Sequence, residues 1–282
     1  MMSGPIQYFA DAGGINVRVR QWGQAGPAVL CVHGLGSHAE IWDELGARLA
    51  AQGRVCLAID LPGHGLSYKG PDFDYRAAGH AAMLARLLDS LELRAVDVVG
   101  SSLGGLHAAA FATTHPARAR SLALIGAVGL APLAPQRREW TAGYLSRMDR
   151  DSVAERLRVG VYDPALVSEA YIEETWRMNN SAGAAESFAA IGRYYRGSIN
   201  DDMQTDRLAA LGERLPLMLI WGEDDVTVSY ADAREAATRL PRARFEALPR
   251  TRHIPHVERP DEVARLLSQH LSAVSTTVLE SA

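Results

Sequence analysis

Cysteine is scarce in this 282-residue chain: only Cys31 and Cys56 are present. Both lie in apolar runs that read as strands, so both read as small buried core residues, and a disulfide framework is not supported. Basic charge is not in excess either. Lys and Arg number 29 against 33 Asp and Glu, a formal net charge of −4. With no basic run to overrule that balance, the chain offers no electrostatic case for nucleic acid or an anionic membrane as partner. No apolar stretch is long enough to cross a bilayer. The opening MMSGPIQYFADAGG has no basic segment followed by an apolar core, so no signal peptide is read there and the expectation is a cytoplasmic protein. Internal repeats are absent. No His is spaced with Asp or His as metal ligands are, and no phosphate-binding glycine motif opens a helix, so neither a metal nor a cofactor is expected.

What is present is an ordinary globular mix, 48% apolar and 22% charged, long enough for one large domain with a substantial insertion. INVRVRQW (15–22) alternates apolar and polar as a half-exposed strand does. PAVLCVHG (27–34), RVCLAIDLPGHG (54–65), AVDVVG (95–100) and ARSLALIGA (119–127) are apolar runs suited to buried parallel strands. Helical spacing occupies 41–53, 81–93 and 103–116. This alternation predicts a parallel sheet covered on both faces. From 131 to 208 the segments read as helices, and the alternation resumes at LPLMLIWGEDD (215–225). A helix near 230–240, a strand at 243–249 and a helix at 260–271 follow, and the tail STTVLESA (275–282) is expected to fray. The helical block therefore reads as an insertion: core at 1–130 and 209–282, cap at 131–208.

Gly100-Ser101-Ser102-Leu103-Gly104 fits G-x-S-x-G between a strand and a helix. In that setting the central serine sits on a tight corner, with glycines letting backbone and helix approach. Ser102 is central and is the candidate nucleophile, and it needs a base within hydrogen-bond reach. His33-Gly34-Leu35-Gly36 follows a buried strand. The Leu35 and Leu103 amides are the candidate oxyanion donors.

With these motifs the chain resembles the α/β-hydrolase family. The matching pieces are HGLG (33–36), DLPGHGLS (60–67), GSSLGG (100–105), WGEDD (221–225) and HIPHVERP (253–260). The resemblance implies a mostly parallel, eight-stranded, doubly wound sheet with a helical cap. It implies Asp225 as the acid, with Asp224 and Glu223 as competitors by chemistry alone. The base follows the acid in this fold, which leaves His253, His256 and His270. His253 stands five residues before Glu258 and seven before Pro260, as the base does in similar sequences, although Arg252 replaces the usual glycine. His33 and His64 are expected to be structural.

In similar proteins the cap walls the pocket. Here the cap carries Trp140, Tyr144 and Trp176 as candidate substrate contacts, among further aromatics at Tyr162, Tyr171, Phe188, Tyr194 and Tyr195. The function implied is hydrolysis of a carboxylic ester, or a related lactone or thioester, of a small and largely apolar substrate. A weaker resemblance is to carbon–carbon bond hydrolases of dienoic ring-fission products, carried by GVYDPALVSEAYIEETW (160–176). Against it stand Ser101 where those enzymes have Asn, Thr175 where they have a carboxylate-binding arginine, and Ile254 where they have Trp. A third possibility is a small-molecule receptor of the same fold. Oligomeric state is not readable.

Overall fold

Eight strands make one sheet in the order β1-β2-β4-β3-β5-β6-β7-β8 in this computed structural model, which describes residues 4–280, with side chains through residue 271. The strands are β1 (Ile6–Asp11), β2 (Asn16–Trp22), β3 (Ala28–Val32), β4 (Val55–Ile59), β5 (Val96–Ser101), β6 (Ala119–Ile125), β7 (Leu217–Gly222) and β8 (Arg244–Leu248). β2 runs antiparallel to both β1 and β4, and every other pairing is parallel. β3, β5 and β7 are buried along their whole length. That is why their sequences are continuous apolar runs rather than alternating ones.

The helices are α1 (Asp43–Ala51), α2 (Ala77–Ser90), α3 (Leu103–Thr114), α4 (Pro135–Tyr144), α5 (Arg150–Val159), α6 (Glu169–Asn179), α7 (Ala184–Gly197), α8 (Thr205–Leu211), α9 (Tyr230–Thr238), α10 (Pro255–Glu258) and α11 (Pro260–Glu280). One face of the sheet packs on α2, α3 and α9, the other on α1 and α11. Between β6 and β7 the described chain is helical or irregular, with no strand. There α4 packs on α7 and α5 on α6, while α8 crosses residue 208 and packs on α3 of the core. Asp149 caps α5 by accepting from the Ser152 amide, and Ser168 caps α6 by accepting from the Tyr171 amide. Each supplies an acceptor to an amide that the helix itself leaves without one.

Two elements differ from the sequence reading. β1 has no apolar run because it is an edge strand, mostly exposed, with Ile6 and Phe9 turned outward. Its order comes from its ladder with β2. The tail expected to fray continues α11 to Glu280, and 281–282 lie outside the described residues.

Several histidines are buried together. His33 meets His64 edge-on at 5.2 Å, and His80 stacks on His107 at 3.7 Å. Burial pushes His33 and His80 down to about 4, and His107 well below its usual value. These groups stay neutral in the folded chain and take up protons in the unfolded chain below about pH 6.5. From there down to about pH 4 the unfolded state binds more protons, so stability rises with pH across that window, by about 1.4 kcal/mol per pH unit for each fully separated group. The melting temperature is therefore expected to fall as pH is lowered from 6.5 to 4.5. His107→Phe, which removes no hydrogen bond, should make that fall shallower; an unchanged slope contradicts the assignment.

Candidate active site

β5 ends at Ser101 and α3 begins at Leu103, so the chain turns from strand to helix at Ser102 alone. Its backbone sits at φ 54°, ψ −123°, a conformation that costs a non-glycine residue about 1–3 kcal/mol. The flanking glycines allow it. A Cβ on Gly100 would lie 2.6 Å from the Gly104 carbonyl oxygen, and one on Gly104 would lie 2.2 Å from the His33 carbonyl oxygen. The Ser102 amide donates to the Ile125 carbonyl at 2.9 Å, and its carbonyl accepts from Gly105 and Val128. The strained turn is therefore held from both sides.

His253 lies between β8 and α10. Its Nδ1 is 2.9 Å from Asp225 Oδ2 and its Nε2 is 2.9 Å from Ser102 Oγ. With a carboxylate facing Nδ1, the proton sits there, and Nε2 is left to accept from the serine hydroxyl. Asp225, just past β7, is buried. Its other oxygen accepts from the amides of Thr227 at 2.8 Å and Val228 at 3.0 Å. Glu223 and Asp224 point into solvent. His256 is buried against the Trp42 ring at 4.2 Å, and burial pushes it down to about 3. His270 is buried on α11. Neither is hydrogen-bonded to Ser102 or Asp225.

Glu258 of α10 holds the His253 segment, accepting from the Arg252 amide at 2.8 Å and from the Tyr162 amide of the inserted block at 2.6 Å. The His253 amide donates to the Gly160 carbonyl at 3.0 Å. Arg252, in place of the usual glycine, extends its guanidinium toward the Val159 and Val161 carbonyls, each at 3.4 Å.

Gly34 lies against the serine: a Cβ there would be 2.8 Å from Ser102 Cβ. His33 shapes this loop. Its Nε2 accepts from the Leu61 amide at 3.0 Å, so its Nδ1 carries the proton to the Gly34 carbonyl at 2.7 Å. Leu35 lines the cavity above Ser102. Leu103 is buried, and as the first residue of α3 its amide has no carbonyl to meet within the helix. His64 is buried between the His33 and Phe188 rings.

The cavity over Ser102 has a volume of about 230 Å³. Its floor is Gly34 to Ser37, Ser102 and His253, and its cap-side wall is Leu133, Trp140, Thr141, Tyr144, Arg156 and Leu157. Trp140 stacks on Tyr144 at 5.5 Å, and Arg137 lies 5.3 Å over Trp140. Trp176 does not reach the cavity. α6 turns Thr175 and Asn179 toward the core, and Trp176, one residue on from Thr175, projects to the side. Thr175 Oγ1 is hydrogen-bonded to His38 Nε2 at 2.9 Å, and Arg177 pairs with Glu173 on the surface. Sequence reasoning did not find Arg156 or Asn179, both of which donate to the Gly36 carbonyl, at 2.9 and 3.0 Å. Helical periodicity marks an arginine or asparagine as polar and carries no sign of which carbonyl it meets. Among the described residues no three His, Cys, Asp or Glu side chains converge to hold a metal, and no helix is long and apolar enough to cross a membrane.

The family described as alpha/beta hydrolase fold matches residues 27–260, and the chain belongs to that family. Among curated relatives it is 30% identical to the dihydrolipoyllysine-residue acetyltransferase component of the acetoin cleaving system of Cupriavidus necator, over 93% of this chain and 68% of that protein. It is 28% identical to the 2-hydroxy-6-oxo-2,4-heptadienoate hydrolase of Pseudomonas putida, over 93% of this chain and 95% of that one. It is 29% identical to the pimeloyl-[acyl-carrier protein] methyl ester esterase of Chromobacterium violaceum, over 91% and 98%. Among solved structures, the 2-hydroxy-6-oxo-6-phenylhexa-2,4-dienoate hydrolase of Rhodococcus sp. strain RHA1 superposes with a TM-score of 0.84 at 20% identity, covering 95% of this chain and 99% of that one. At that identity the likeness shows the fold alone.

The strained turn yields a test. Gly104→Ala forces a Cβ onto the His33 and Val32 carbonyls, at 2.2 and 2.4 Å, and is expected to cost about 3 kcal/mol or more. Urea denaturation should show a large drop in midpoint; a midpoint near wild type contradicts the packing described.

Proposed function

We propose that this protein is a serine hydrolase of carboxylic esters, or of related lactones or thioesters, acting on a small and largely apolar substrate through an acyl-enzyme. The observation that carries the reading is His253 bridging Ser102 and Asp225 at 2.9 Å on each side, on the floor of a cavity walled by Leu133, Trp140, Tyr144 and Leu157.

Ser102 Oγ attacks the ester carbonyl carbon, and its proton passes to His253 Nε2. Asp225 keeps the imidazole oriented and stabilises the imidazolium that forms. The carbonyl oxygen takes the negative charge and is met by the Leu35 and Leu103 amides. The imidazolium returns its proton to the leaving alcohol oxygen as the carbon–oxygen bond breaks, leaving the acyl group on Ser102. Water then attacks that ester with His253 as base, and the acid leaves with Ser102 restored. Trp140 and Tyr144 give the acyl or alcohol group an apolar, aromatic surface.

A second reading, carbon–carbon bond hydrolysis, is favoured by the relatives: two of them, both from Pseudomonas putida, bear the names 2-hydroxy-6-oxo-2,4-heptadienoate hydrolase and 2-hydroxymuconate semialdehyde hydrolase. The ester reading stands first because Ser101, Thr175 and Ile254 depart from the pattern of such enzymes.

Turnover of p-nitrophenyl esters from acetate to long acyl chains tests the first reading. Ser102→Ala is expected to lower kcat by about 10⁴-fold or more, and Asp225→Asn, which keeps the shape but not the charge, by about 10⁴-fold. Ester turnover that survives Ser102→Ala overturns the mechanism. Bleaching of a dienoate chromophore, with esters left intact, would move the assignment to the second reading.

A further inference from the structure

The loop that carries Leu35 continues into Gly36 and Ser37, and the inserted helices close over it. The guanidinium of Arg156 lies directly on Gly36: a Cβ there would sit 1.7 Å from Nη1. Gly36 has φ 65°, so glycine provides both the turn and the space for the cation. Arg156 lines the same cavity as Ser102 and His253. It makes no ion pair, and its ionisable neighbours are Tyr144 and Tyr171 rather than a carboxylate. Burial lowers its affinity for its proton, opposed only by the Tyr144 and Tyr171 phenols, and its guanidinium lies 5.5 Å over the Tyr144 ring with no carboxylate paired to it. A desolvated cation without a partner is costly to keep.

Polar atoms around it are also unpartnered. Arg156 Nη1 and Asn179 Oδ1 are enclosed and make no hydrogen bond, and the enclosed Tyr171 hydroxyl and Ser37 Oγ have only each other. They belong to one place. The Ser37 hydroxyl lies beside the Tyr171 phenol, which burial pushes up to about 12, and Asn179 donates its Nδ2 to the same Gly36 carbonyl that accepts from Arg156. The neighbouring carboxylate, Glu40, is occupied by Arg18, Arg20 and His38. Buried polar groups are almost always satisfied. Beside Ser102 this leaves a buried guanidinium N–H with no acceptor, which an acceptor from outside the chain would satisfy.

We propose that Arg156 and Ser37, with Tyr171 behind Ser37, form a subsite for a carboxylate carried on the acyl part of the substrate, so that this protein prefers hemiesters of dicarboxylic acids to neutral esters. The proposal rests on the ester-hydrolase reading of Ser102. The acyl side is the part of the proposal that the substrate comparison decides. Gly36 and Ser37 follow Leu35 directly in the cavity wall, and two residues of chain span at most about 7 Å, so a short acyl chain on Ser102 reaches Arg156. Guanidinium is suited to the task, since it stays charged when desolvated and binds a carboxylate through two parallel N–H bonds.

The test compares kcat/KM for monomethyl succinate, glutarate and adipate with that for neutral methyl esters of matched length, such as methyl heptanoate for the adipate. Wild type should favour the best hemiester by about 10-fold or more. Arg156→Gln should bring that ratio close to one, Arg156→Lys should keep part of it, and Tyr171→Phe should lower it a few-fold. If Arg156 only pins the Gly36 carbonyl, both substrate classes fall together and the ratio survives Arg156→Gln, which overturns the proposal. A wild-type ratio near one overturns it as well. Should Arg156→Gln fail to fold, the Tyr171→Phe ratio decides.

Calorimetric binding of monomethyl adipate to Ser102→Ala separates the two readings. Binding that is lost on adding Arg156→Gln, in a protein whose wild type cleaves no ester, leaves the subsite standing and removes the ester chemistry. No binding removes the subsite.

Discussion

Residue 102 must leave a fully buried parallel strand and enter a helix in a single step, and the rest of the site is arranged around the conformation this forces. A positive φ at a serine is unfavourable by itself. It persists because β5 and α3 are fixed by the core, and because the glycines at 100 and 104 let the turn press against the β3 end of the sheet. The turn lifts the Ser102 side chain toward the open edge of the sheet, where the loops after β7 and β8 bring Asp225 and His253 within hydrogen-bond reach. Moving the turn would take Ser102 away from the His253–Asp225 pair.

The second constraint is that this edge is shared with the inserted helices. The Gly36 carbonyl accepts from Arg156 and Asn179, His38 is bonded to Thr175, and the His253 amide donates to Gly160. Both the loop beside the serine and the segment carrying the imidazole therefore depend on where the insertion docks. Many proteins close a site with an apolar lid alone. Here the insertion is tied by polar contacts to the backbone beside Ser102 and His253, so its position bears on their geometry as well as on access to them.

Ser102, Asp225 and His253 are legible in the sequence because each stands within a few residues of a strand end, and buried strands announce themselves as apolar runs. Glycine spacing then singles out Ser102 from Ser101, and chain order restricts the base to three histidines. The choice of Asp225 over Glu223 and Asp224 needs the turn in which its side chain is buried while the other two face solvent. β1 escapes notice because an edge strand buries too little to leave a pattern. Trp176 illustrates the opposite failure: an aromatic in the inserted block is a reasonable pocket residue, yet its direction is set by Thr175 and Asn179 docking α6 on the core. Arg156 lies beyond sequence reasoning for the same cause, since its meaning comes from Gly36, 120 positions away in the chain.

The reading of Ser102 Oγ as the nucleophile, activated by His253, is open to direct test. Labelling with a fluorophosphonate, followed by mass mapping of the modified peptide, tests it without knowledge of the substrate. One covalent adduct per chain is expected, on Ser102, abolished in His253→Ala. An adduct on Ser101, or labelling of Ser102 that is as fast without His253, would contradict it.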